Sequence, residues 1–311
     1  MFDKPLTDSI MTREKSELVM DKNPTPTARF DPFPNVTILC FGRPLDWSTS
    51  MVITQEDVAR HDLAHRIAGI ALAHETKVIL APCAQKSNGV ICQRSDLATK
   101  ISVQAMIGMV PINVSVERGF DADGTIIGPR EAFYVSTGDC LVGVMTDKGS
   151  RRTVAFHASR ESLLPRQWLD PDQHDGGSRK MSVIENALNQ LKPEGEVAAF
   201  FCNGINSTHF GHSWDDPVHG VRNQSLCEFV SARYGTRCIE QTTLDDIREG
   251  KLSLHELARN QCEDSGIKPG NIGSDSIDTF GDTGPDGKPI WWSYRRGDGR
   301  QRNGVLVIRK F

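Results

Sequence analysis

Tyr134–Val144, YVSTGDCLVGV, and Arg152–Leu164, RTVAFHASRESLL, decide how this chain reads. Each stretch is apolar, rich in β-branched residues and ends in polar side chains. That is the pattern of a buried strand delivering a group to a pocket. The connection Asp147-Lys148-Gly149-Ser150 reads as a turn. A hairpin of this kind brings Cys140 and His157, 17 residues apart in the chain, to neighbouring strand ends. A thiol beside an imidazole serves two chemistries: a thiolate nucleophile with an imidazole base, or a Zn²⁺ site. Asp139, beside the thiol, is read either as a group that orients the pocket or moves protons, or as a turn residue satisfying backbone N–H groups.

Working outward, residues 1–30 are polar and carry Pro24 and Pro26, which reads as a loosely attached arm before a single domain over 31–311. Val36–Phe41, VTILCF, predicts a buried strand running into the turn Gly42-Arg43-Pro44. Gln55–His74 has apolar residues at 58, 63, 67, 70 and 71, one face of a helix with Thr54 as N-cap. Lys77–Ala84 and Val90–Gln93 read as strands around the loop Gln85–Gly89. Ser102–Val116 is ambiguous between strand and helix. Asp121–Ile127, DADGTII, is an acidic turn before a strand. Ser178–Leu191 predicts a helix, Glu196–Cys202 a strand, and 224–233 and 252–265 further helices. Trp291–Tyr294 and Val305–Arg309 are predicted as the last strands. Close strand pairs interleaved with helices, without a strict βαβ repeat, indicate an α+β fold of mixed sheets with helices packed outside.

Composition bounds the function. At 311 residues with 38% hydrophobic and 24% charged, the chain has the length and make-up of a globular protein with a large core. A net charge of −4 gives no electrostatic footprint for nucleic acid, and the arginines of Tyr294–Arg302 form only a local patch. Eight cysteines are scattered without a CxxC pair, as in a reduced cytoplasmic protein. No apolar run reaches the ~20 residues needed to span a bilayer, and the N-terminal stretch lacks the apolar region of a signal peptide. Neither a GxGxxG nor a GxxxxGK[ST] fingerprint is present.

The order of motifs resembles the laccase-domain family, also called YfiH-like or multicopper polyphenol oxidoreductase. The resemblance runs from about residue 36 to the end and is carried by several segments together. These are Phe41-Gly42-Arg43, the loop Gln85–Gly89, Asp121–Gly124, Gly138-Asp139-Cys140 and His157-Ala158, then Leu252–Gly266, Asn271-Ile272, Asp278-Thr279 and WWSYRRGDG at Trp291–Gly299. The resemblance implies a YfiH-like fold, similar to that of cysteine-hydrolase deamidases. It also implies activity on purine nucleosides: phosphorolysis of the N-glycosidic bond, with phosphate as co-substrate, or adenosine deamination. The implied Zn²⁺ ligands are Cys140, His157 and a His from the Gln-x-His-Gly loop.

This chain departs from that pattern. The loop reads Ser87-Asn88-Gly89, which puts Asn88 where the first His belongs, and its neutral, hard amide oxygen is a poor Zn²⁺ donor beside Cys and His. Ser159–Ser162 replaces Gly-Trp-Arg-Gly, Asn203-Gly204 replaces a Gly-Pro turn, and Asp278-Thr279 replaces Cys-Thr. Arg43 is a candidate for binding a phosphate or carboxylate, with a surface ion pair as the other reading. Asn88 is the second candidate substrate contact. His209, His212 and His219 are candidates to replace the missing ligand. His61 and His65, four residues apart, read as a solvated helix face.

Three functions follow: a Zn²⁺-dependent purine nucleoside enzyme, a metal-free cysteine hydrolase or deamidase with a Cys140–His157 pair, or a non-catalytic binding protein. Copper chemistry is weakly supported, since the chain lacks the repeated His-x-His pairs of a trinuclear cluster.

Overall fold

The computed structural model describes residues 24–48, 58–84, 89–97, 99–107, 110–119, 121–169, 181–244 and 247–311. Two mixed sheets lie face to face. The first runs β1 (Ala28–Phe33), β2 (Val36–Phe41), β16 (Asn303–Arg309), β8 (Glu131–Thr137), β3 (Val78–Ala81), β6 (Val110–Arg118), β5 (Thr99–Ile107). The second runs β15 (Ile272–Ser274), β11 (Val197–Cys202), β9 (Leu141–Asp147), β10 (Thr153–Ala158), β7 (Gly124–Ile127), β4 (Ile91–Cys92). A small third sheet has the order β12 (Gly211–Ser213), β14 (Ile247–Leu252), β13 (Ile239–Leu244).

Residue parity assigns each face. In β16, Val305 and Val307 enter the layer between the two large sheets, while Leu306 and Ile308 face the other way. There they meet α1 (Val58–Ala73) through Leu63, Ile67, Ile70 and Ala71. In β9, Val142 and Val144 face the first sheet. Leu141 and Met145 instead join the cluster that holds α4 (Val183–Leu191), α5 (Gly220–Tyr234) and α6 (Leu254–Asp264). The result is an α+β sandwich of two sheets with helices outside. Two short helices, α2 (Arg160–Leu163) and α3 (Arg166–Leu169), follow β10. Among the described residues, no helix is long and apolar enough to cross a membrane.

Several sequence readings change. The ambiguous stretch 102–116 lies within an antiparallel hairpin of β5 and β6, with Val103 opposite Val114. The arm boundary at residue 30 falls inside β1, because Arg29 and Phe30 already pair with Leu39 and Ile38. Residues 1–23 and the N-cap Thr54 lie outside the described residues. Trp291–Tyr294 is not a strand. Its backbone groups are taken by side chains instead of a ladder: Trp292 N–H and C=O bond the Asn303 amide, and Ser293 N–H donates to Asp298.

The β9–β10 hairpin is fixed at its turn by Asp147. This fully buried carboxylate accepts the backbone N–H groups of Gly149, Ser150, Glu194 and Gly195 at 2.8–3.1 Å. Burial would raise its pKa, but the hydrogen bonds from Ser150 and its neighbours prevail and hold it well below the usual carboxylate range. Asp147→Ala orphans these donors and is expected to cost at least about 2 kcal/mol, measured by denaturant unfolding. Because the folded pKa is depressed, this stabilisation is present above the ordinary carboxylate range and fades as pH falls below it. The wild-type advantage over Asp147→Ala therefore shrinks in acid.

Candidate active site

Cys140 and His157 are brought together by register and parity. His157 lies opposite Val142 in the β9–β10 pairing. Val142, Val144 and Ala155 all face the layer between the sheets, so positions 140 and 157 share that side. Residues diagonal across such a pair are within side-chain reach, and Cys140 is close enough to the His157 ring to act on its titration.

The other side of the ring is held by a residue that the sequence reading left in a turn. Asp123 directly precedes β7, which pairs with β10, and its carbonyl accepts the His157 N–H at 2.7 Å. Its carboxylate, completely buried, takes His157 Nδ1 at 3.0 Å through Oδ1 and Gly89 N–H at 2.5 Å through Oδ2. Gly89 has φ +73, a conformation that favours glycine. Its carbonyl accepts from Asn186 of α4 at 2.9 Å, which ties the end of the 85–89 loop to the site. Asn88 itself lies outside the described residues.

The electrostatics follow from this enclosure. Burial alone would lower the His157 pKa. The charge on the Cys140 sulfur, the hydrogen bonds to Asp123 and Cys140, and the Asp123 charge outweigh it and push His157 up to about 10. With Nδ1 donating to a carboxylate, Nε2 is the nitrogen that exchanges a proton with a reactant. The three groups form a Cys–His–Asp array. An acid immediately before a short strand that pairs with the histidine strand was the signal available for Asp123.

The remaining predicted residues serve the walls. Asp139 accepts the Thr279 hydroxyl at 2.8 Å and the Arg295 N–H at 2.7 Å, so both its oxygens hold the C-terminal segment rather than facing a free site. Arg43 stacks on Trp292 with its guanidinium 3.8 Å from the ring centre, pairs with Asp298 at 2.8 Å and donates to the Trp291 carbonyl. The ion-pair reading of Arg43 is thus the one its contacts match. Asn203, in a left-handed conformation (φ 62), donates through its amide to the Cys140 carbonyl at 3.1 Å and braces the cysteine from β11. His209 stacks on Phe280 and bonds Asp278 at 3.0 Å. Among the described residues, no third His, Cys, Asp or Glu joins Cys140 and His157 in a group that could hold a metal. Two donors do not fit a four-coordinate Zn²⁺ site.

Solved structures share this architecture. A Neisseria meningitidis protein of family DUF152 superposes with a TM-score of 0.60 at 18% identity, covering 93% of this chain and 100% of its own. The hypothetical protein YfiH of Bacillus licheniformis gives 0.53 at 15% identity over 88% and 93%. YlmD of Geobacillus stearothermophilus gives 0.54 at 13% identity over 91% and 94%. The chain has the YfiH-like fold. No family model and no curated protein matches its sequence.

The ring nitrogens of His157, followed by ¹⁵N NMR, should titrate at about 10 in the wild type. The midpoint should fall in Cys140→Ala and in Asp123→Asn, since each removes a source of the rise. A wild-type midpoint at the ordinary imidazole value of 6.5 would contradict this account of the site.

Proposed function

We propose that the protein is a metal-free cysteine hydrolase acting on an amide or related C–N bond, in the manner of a deamidase. One observation carries the reading: the buried His157 is held by Asp123 on Nδ1, and the β9–β10 register places Cys140 diagonal to it. In the proposed cycle the proton shared by Cys140 and His157 rests on the imidazole, and the Cys140 sulfur attacks the carbonyl carbon, forming a C–S bond as the carbonyl π pair moves to oxygen. The imidazolium then returns its proton to the departing nitrogen as the C–N bond breaks. Water attacks the thioester with His157 as base, which releases the acid and restores the thiol. Asp123 keeps the ring in the tautomer and orientation this requires, and Asp139 and Asn203 position the strand end.

A second reading is purine nucleoside phosphorolysis or adenosine deamination at a Zn²⁺ ion on Cys140 and His157. It is supported by the YfiH-like fold, and a carboxylate bonded to a histidine is also how metal-ligating imidazoles are oriented. It needs a third ligand from outside the described residues, at or near Asn88.

Metal analysis combined with thiol labelling separates the two. The hydrolase reading expects rapid alkylation of Cys140 at neutral pH in metal-depleted protein, slowed on the order of 100-fold in His157→Gln. Stoichiometric Zn²⁺ that protects Cys140 from alkylation and vanishes in Cys140→Ala would overturn it in favour of the zinc enzyme.

A further inference from the structure

A cavity of about 450 Å³ lies beside the strand ends that carry the array. Arg160, three residues beyond His157, forms part of its wall. Arg295 forms another part, and its backbone N–H is bonded to Asp139, the neighbour of Cys140. Arg222 from α5 completes a set of three guanidiniums contributed by three separate segments. Bringing cations together in a half-buried space is unfavourable unless something anionic compensates them.

The protein supplies only part of that compensation. Arg160 pairs with Glu161, and Arg222 reaches the same carboxylate oxygen at 3.6 Å. The acids on the cavity wall are engaged elsewhere. Asp216 caps the N–H groups of Val218 and His219, and Glu249 faces Lys251 at 3.9 Å. Arg295 is held by the Gly211 carbonyl and the Phe210 ring, both uncharged. Burial first, then the nearby Arg160, pull its pKa down, and the charge of Asp139 offsets part of this.

His212 adds a second, independent observation. It lines the same cavity and is 2% exposed. Its Nδ1 is bonded to the Phe210 carbonyl at 3.1 Å, whereas Nε2 has no hydrogen-bond partner among the described residues. Burial first, then Arg160 and Arg295, push this ring down to about 3, so it is neutral and Nε2 offers a lone pair. A buried acceptor with no donor is costly and points to a group not yet present.

We propose that this cavity is a binding site for a small oxyanion-bearing molecule, a phosphate ester or a carboxylate, gripped by Arg160 and Arg295 and donating an N–H or O–H to His212 Nε2. Guanidiniums match both oxyanions through paired N–H donors. The proposal concerns binding alone and stands whether or not Cys140 is a nucleophile.

Isothermal titration of the full chain with inorganic phosphate, and separately with acetate, at constant ionic strength tests it. We expect saturable binding of at least one probe, with a Kd on the order of 1 mM, weakened about tenfold or more by Arg295→Gln or Arg160→Gln. Arg295→Gln keeps the backbone bond to Asp139, so the array should be spared. An unchanged rate of Cys140 alkylation in each variant checks this without reference to anion binding. Preference for phosphate identifies a phosphate ester, and preference for acetate a carboxylate. No saturable binding of either probe, or binding untouched in both variants, overturns the proposal. If Arg295→Gln does not fold, Arg160→Gln on the short surface helix α2 gives the same reading.

Discussion

The buried Asp123 carboxylate is the constraint on which the site depends. A carboxylate removed from water must find donors within the protein, and here they come from two separate parts of the chain. Asp123 precedes β7, His157 lies near the end of β10, and Gly89 is braced by Asn186 of α4. Satisfying one charge therefore fixes the β7–β10 pairing, the imidazole orientation and the position of Gly89 together. Net stability gives little reason for such a pair, since an apolar substitute of equal volume often does as well, while removing one partner alone costs about 3–5 kcal/mol. Orientation of His157 is the property that an apolar substitute could not supply.

The second constraint is the attachment of the C-terminal segment. Arg43 stacks on Trp292 and pairs with Asp298, and Asp298 also takes Arg296 at 2.6 Å. Asp139 holds Thr279 and the Arg295 backbone. Two residues that the sequence reading placed among the catalytic and substrate contacts thus dock residues 279–298 against the strand ends. That docking carries the Arg295 guanidinium to the cavity wall, so their influence on ligand binding runs through the segment they hold.

What could be read from the sequence follows from which interactions are local. The β9–β10 hairpin was legible because alternation, β-branched residues and a turn all lie within 31 residues, from Tyr134 to Leu164. Cys140 and His157 were legible as a pair for the same reason. Asp123 was seen only as part of an acidic turn, because its role arises from a β7–β10 pairing across 34 positions that no local pattern encodes. The WWSY stretch looked like a strand by its aromatic content, but Asn303 and Asp298 bond its backbone in place of a neighbouring strand. The small third sheet escaped notice because α5 falls between β12 and the β13–β14 hairpin, and Gly250 within β14 interrupts the expected alternation.

On the metal-free reading, the site bears on its surroundings through charge. A Zn²⁺ ion would bring two positive charges next to Cys140 and His157, and further guanidiniums nearby would then be repelled. On the metal-free reading no such charge is present, and the carboxylate of Asp123 is buried against the imidazole. Such an array tolerates cations close by. Arg160, in the segment that departs from Gly-Trp-Arg-Gly, and Arg295 beside Asp139 are cations of that kind. On this reading the positive charge sits on the cavity wall, where it is available to an anionic ligand.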